Sequence, residues 1–153
     1  MILLKNVQKV HKICRPEVKA QLEMMLTAAG YKGWDVGVSF SGNRTVKNLN
    51  NQYRGKNKST DILSFRFAEL PEPLSEDDKN LGDLFISMKY VEKWCQEHNV
   101  AIEDRLPVLY AHGICHLLGY DHQHDKDYAQ MKRKEKRILM KVKEWQSALE
   151  LKS

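Results

Sequence analysis

The chain has 153 residues, 42% of them hydrophobic and 29% charged, with a formal net charge of +5. That length and balance fit one globular domain with its own core, and no apolar run approaches the roughly 18 residues of a membrane-spanning helix. Cys14, Cys95 and Cys115 are scattered, odd in number and free of any CxxC pair, which argues against a disulfide framework and suits a reducing compartment.

Ile2 to Val7 reads as a short strand. Lys5 follows Met1-Ile2-Leu3-Leu4 before an apolar core can develop, so no secretory signal is expected. Lys5, Lys9, Lys12 and Arg15 precede any acid. That is compatible with a mitochondrial address, although a basic strand-and-loop surface is the simpler explanation. Pro16 opens a helix with Val18, Leu22, Met25 and Leu26 at helical spacing, and Gly30 ends it. From Trp34 to Phe40 apolar residues alternate with Asp35, Gly37 and Ser39, the pattern of a half-buried strand. Asn43 and Thr45 are candidate caps of a second helix that carries Val46, Leu49 and Tyr53 inward and ends at Gly55.

Ile62 to Phe67 is a third strand. Glu69 to Lys79, with Pro71, Pro73, Glu76, Asp77 and Asp78, is polar and unperiodic and reads as a surface loop. Leu81 to Met88 is a fourth strand and Tyr90 to Asn99 a helix. A further helix, Ile102 to Leu118, is led in by Glu103, Asp104 and Pro107, and a long basic helix runs from about Lys126 to Leu149. No internal repeat, low-complexity tract or linker interrupts the chain. The sum is an α+β fold: a mixed four-stranded sheet covered by about five helices, in a single domain over residues 1–153.

The chemistry gathers in Ala111-His112-Gly113-Ile114-Cys115-His116-Leu117-Leu118-Gly119-Tyr120-Asp121-His122. His112 and His116 are four apart, about 400° around a helix, so their rings share a face and can converge on one ion. Gly119 can turn the chain back through positive φ and return His122 to the same point. Three neutral imidazoles with an open fourth position describe a catalytic zinc site rather than a closed structural one. His122 is the preferred third ligand and His124 its rival. Asp121 or Asp125 could orient an imidazole. His-x3-His-x2-Gly-x2-His is also the spacing of metzincin proteases, but Gly113 stands where those enzymes carry the glutamate base. His11 and His98 read as surface or packing residues, and Cys115 as a small buried hydrophobe.

Arg44, Lys47, Arg54, Lys56 and Lys58 form an acid-free stretch interleaved with Asn48, Asn50, Asn51, Gln52 and Tyr53, a surface that can pair with phosphates and stack bases. Lys126 to Lys143 holds eight basic residues against only Asp127 and Glu135, and taken alone reads as a solvated helix face. Both segments together with a metal site point to a phosphodiester substrate. A metal can generate hydroxide near neutral pH, and an arginine can grip a phosphate bidentately.

The histidine segment resembles the signature of the YbeY family of ribosomal RNA maturation endoribonucleases. Leu49-Asn50-Asn51-Gln52-Tyr53-Arg54-Gly55-Lys56, Thr60-Asp61-Ile62-Leu63-Ser64-Phe65 and Leu81-Gly82-Asp83-Leu84 match further family segments in the same order. The resemblance spans nearly the whole chain. It implies a metzincin-like α+β domain, one Zn2+ per chain on His112, His116 and His122, and hydrolytic cleavage of single-stranded RNA in small-subunit rRNA maturation and ribosome quality control. It places the phosphate or transition-state contact on Arg54, with His112 the other catalytic candidate; Lys56, Lys58 and Arg66 are candidate RNA-binding residues by their charge. Small-subunit proteins and an assembly GTPase are the implied partners, with no membrane, and the compartment is the cytoplasm or the mitochondrion. Ser59 and Arg66 stand where the family commonly has proline, which loosens the segment and adds charge beside the groove. Two rival readings remain: a metalloprotease, against which Gly113 argues, and a non-catalytic ribosome-assembly factor with a structural metal.

Overall fold

The computed structural model describes residues 1–67, 79–120 and 125–152. Alternation builds its strands. In β2 (Asp35–Ser41) Val36, Val38 and Phe40 turn into the core, while Asp35, Gly37 and Ser39 take the other face. β1 (Ile2–Asn6) and β4 (Asn80–Ser87) flank β2 in parallel, and β3 (Ile62–Arg66) lies antiparallel to β4, giving the order β1-β2-β4-β3. The described residues also form five helices: α1 (Arg15–Ala29), α2 (Asn43–Arg54), α3 (Met88–His98), α4 (Ile102–Leu117) and α5 (Asp125–Lys152). The α+β architecture with a mixed four-stranded sheet is therefore the one the sequence predicts. The predicted polar loop over 69–79 lies, except for Lys79, outside the described residues.

Glycines end α1 and α2 as expected: Gly30 at φ 92° and Gly55 at φ 70° are left-handed and return their N–H groups to the last helical turn. The capping role predicted for Asn43 and Thr45 is corrected. Gly42 is the N-cap of α2 and no side chain caps it. Asn43 instead accepts hydrogen bonds at Oδ1 from the hydroxyls of Ser59 and Ser87, tying α2 to the segment before β3 and to the start of α3. An oxygen committed to those tertiary contacts is not turned back to its own helix. Pro107 is a second correction: it lies inside α4, beyond its first turn.

α4 is the central helix. Leu106, Leu109, Tyr110, Ala111, Gly113, Ile114, Cys115 and Leu117 are all buried, and Tyr110 meets Phe40 of β2 edge-on at 6.3 Å between ring centres. Gly113 allows the close approach of α4 to the sheet: a Cβ built there would stand 2.8 Å from Leu84 Cδ2 and 2.9 Å from Ile62 Cδ1. On α5, Met131, Ile138 and Val142 bury one stripe at helical spacing, and the stripe contains one acid, Glu135. The basic residues from Lys126 to Lys143, Lys134 excepted, are exposed.

Candidate metal centre

His112 and His116 follow each other on one face of α4, as their spacing requires. Their rings stand at 86° with centres 4.5 Å apart, and the two Nε2 atoms approach to 3.1 Å. Each ring is fixed from behind through Nδ1. That of His116 faces the main-chain oxygen of Tyr120 at 3.1 Å, and that of His112 faces Glu135 Oε1 at 2.6 Å. A carbonyl and an ionised carboxylate can only accept, which places a proton on each Nδ1 and turns the two Nε2 atoms toward each other.

Glu135 is ionised in spite of its position. Burial raises its carboxyl, but the hydrogen bond from His112 and Lys132, whose Nζ is 3.5 Å from Oε2, outweigh burial and hold it below the ordinary carboxylate range. Sequence reasoning looked for an orienting acid at Asp121 or Asp125. Asp121 and the side chain of Asp125 lie outside the described residues. The acid that does meet a histidine comes from another helix. The one available signal was an acid at an apolar position of the α5 stripe, between Met131 and Ile138.

These donors suit a zinc-type ion. Two nitrogens bound to a tetrahedral zinc at about 2.0–2.1 Å stand about 3.3–3.4 Å apart, close to the spacing found. At that distance the two Nε2 atoms share either a cation or a proton between them. His122 and His124, the candidates for the third ligand, lie outside the described residues, and among the described residues no group of three metal-ligating side chains converges. Cys115 points into the core, where burial and then the charge of Glu135 push its thiol up to about 12 despite Lys134; a neutral buried thiol is neither ligand nor nucleophile. His11 faces Glu103 at 3.7 Å and His98 stacks on Trp94, both apart from the pair on α4.

β3 carries the other predicted residues past this helix. Ile62 packs where Gly113 leaves room, and the Arg66 guanidinium lies 3.2 Å from the place a Cβ on Gly119 would take, so β3 runs beside the turn that contains His116. Between them, Ser64 accepts a hydrogen bond at its carbonyl from Arg54 Nη2 at 2.8 Å. The Arg54 guanidinium also lies over the Phe65 ring at 5.0 Å, and Phe65 meets Tyr53 and Phe85 edge-on. Arg54 is otherwise exposed, at the last position of α2. Arg66 is half-buried, and its Nε has no hydrogen-bond partner among the described residues. Lys56 and Lys58 are exposed on the α2–β3 connection, which the buried Asn50 holds by donating to the Lys58 carbonyl at 2.8 Å. Asp61 caps the Ile62 N–H at 2.7 Å and faces Arg105 of α4 at 3.7 Å, so the Thr-Asp pair shapes the lead into β3.

Over residues 3–143 the chain matches the family described as Endoribonuclease YbeY. The human Endoribonuclease YbeY is 35% identical over 90% of this chain and 86% of its own. The Endoribonuclease YbeY of Alkaliphilus oremlandii is 32% identical over 92% and 96%. A Thermotoga maritima protein solved in solution superposes with a TM-score of 0.63 at 28% identity, covering 97% of this chain and 93% of that one. The class is thereby that of enzymes which cut within RNA chains. The chain belongs to the YbeY family of endoribonucleases. That membership, with the sheet packed against Gly113 where a metzincin carries its base, leaves the protease reading without support.

Proposed function

We propose that this member of the YbeY family cleaves single-stranded RNA of the small ribosomal subunit during its maturation and quality control, by hydrolysis at one zinc ion held by His112, His116 and His122. The observation that carries the reading is the pair of Nε2 atoms 3.1 Å apart, each on a ring whose Nδ1 has its own acceptor. A bound zinc ion supplies a Lewis acid for the phosphoryl oxygen and a water acidic enough to ionise near neutral pH. Arg54 holds the scissile phosphate. One of its nitrogens is fixed by the Ser64 carbonyl, which aims the fork and leaves its other donors for phosphate oxygens. Lys56, Lys58 and Arg66 pair with neighbouring phosphates, and Tyr53, 56% exposed beside Phe65, offers a face for a base. The whole chain acts as one domain, in the compartment where small subunits are assembled, cytoplasm or mitochondrion, beside small-subunit proteins and an assembly GTPase. None of the helices searched is long and apolar enough to cross a membrane.

The test is cleavage of an end-labelled single-stranded RNA by the purified protein, with and without a zinc chelator, beside a His116→Ala preparation made identically. Cleavage is expected in the first and in neither of the others. No cleavage from protein that holds its zinc would transfer the weight to a non-catalytic assembly factor.

A further inference from the structure

Glu135 is only 6% exposed and sits in the apolar stripe of α5 between Met131 and Ile138. Burying a carboxylate is costly, and an apolar residue of similar volume in such a place is commonly neutral or stabilising. The acid is therefore poorly explained by packing. Its oxygens are both directed at protein groups: Oε1 at His112 Nδ1, 2.6 Å away, and Oε2 at Lys132 Nζ, 3.5 Å away. A carboxylate so engaged is badly placed to take a proton from substrate water, which argues against a general base and for an orienting group.

The two histidines differ in how they are held. His116 is set by the Tyr120 main-chain oxygen, which no side-chain substitution removes. His112 is set by a side chain from a helix 23 residues further along the chain. We propose that Glu135 is the positioning residue of the metal centre: it fixes the ring of His112 with its proton on Nδ1 and its lone pair on Nε2, directed at the Nε2 of His116. Lys132 in turn holds the second carboxylate oxygen from one turn of α5 away. The site is then a property of the α4–α5 seam and not of the α4 motif alone. This rests on the metal reading above.

The experiment is zinc chloride affinity by chelator competition for the wild type, His116→Ala, Glu135→Gln, Glu135→Ala and Glu135→Met, with the imidazole nitrogen NMR spectrum of each. Removal of such an outer partner weakens metal binding by about 10- to 100-fold. Glu135→Ala and Glu135→Met should both show that loss, together with loss of the defined Nδ1–H form of His112. Glu135→Gln, which still offers an oxygen acceptor, should recover part of the affinity and the Nδ1–H signal. Glu135→Met fills the space and should melt no lower than the wild type without zinc, separating positioning from folding. Zinc affinity of Glu135→Met within twofold of the wild type would overturn the proposal. Equal zinc binding by wild type and His116→Ala would instead overturn the metal reading beneath it.

Discussion

In the seam between α4 and α5 the polar groups face one another: His112 against Glu135, Glu135 against Lys132, His116 against the Tyr120 carbonyl. On the rim formed by the end of α2 and the connection to β3 the charges face water. Arg54 gives one nitrogen to Ser64, and Lys56 and Lys58 stand exposed on the connection. The seam is preorganised, as a small ion needs, because ligands that must be reoriented at binding lose affinity. The rim suits a long polyanion, whose affinity comes from charge and counterion release rather than from one fixed geometry. Substitutions in the seam should therefore act on metal content, and those on the rim on RNA alone.

The largest effect expected is at the ligands. His116→Ala should lose zinc affinity by more than about 100-fold, beyond the range for an outer partner, as measured by competition with a chelator. Retained zinc would remove His116 from the ligand set. Arg54→Ala should keep its zinc and its melting temperature but cleave about 10²- to 10³-fold more slowly in single turnovers, the range for losing one transition-state donor. Arg54→Lys should recover little, since an ammonium lacks the planar fork. A loss of zinc on Arg54→Ala would break the division between seam and rim.

Gly113→Ala tests why the position is glycine. The new methyl would press on Leu84 and Ile62, and overpacking of this kind costs about 1–3 kcal/mol, enough to lower the melting temperature by roughly 2–12 °C. An unchanged melting temperature would mean that the helix and sheet can part without cost. The smallest effect is expected from Lys56→Ala with Lys58→Ala. Two lost phosphate contacts should flatten the slope of log affinity against log salt by about 1.4 for a single strand, with zinc content unmoved.

Much of this arrangement is written locally. The alternation of Val36, Val38 and Phe40 gives β2 its buried face, Gly30 and Gly55 end their helices, and the four-residue interval of His112 and His116 brings their rings together. What escaped the sequence depends on distant partners. Asn43 looks like a cap because Asn in front of a helix usually is one; Ser59 and Ser87 claim its oxygen instead. Gly113 looks like a missing base until Leu84 and Ile62 are seen to fill the space beside it. Glu135 looks like one acid on a basic helix, and its meaning appears only when α5 packs on α4. Arg54 stands out through its family segment, but its anchor at Ser64 needs the β3 edge beside it.

An open three-histidine zinc centre has a signature of its own in X-ray absorption at the zinc edge of the loaded protein. The spectrum should show three imidazole nitrogens at about 2.0–2.1 Å and a further light atom, with no sulfur. A sulfur shell at about 2.3 Å, or a zinc that stays bound with the same spectrum in His112→Ala, would contradict it.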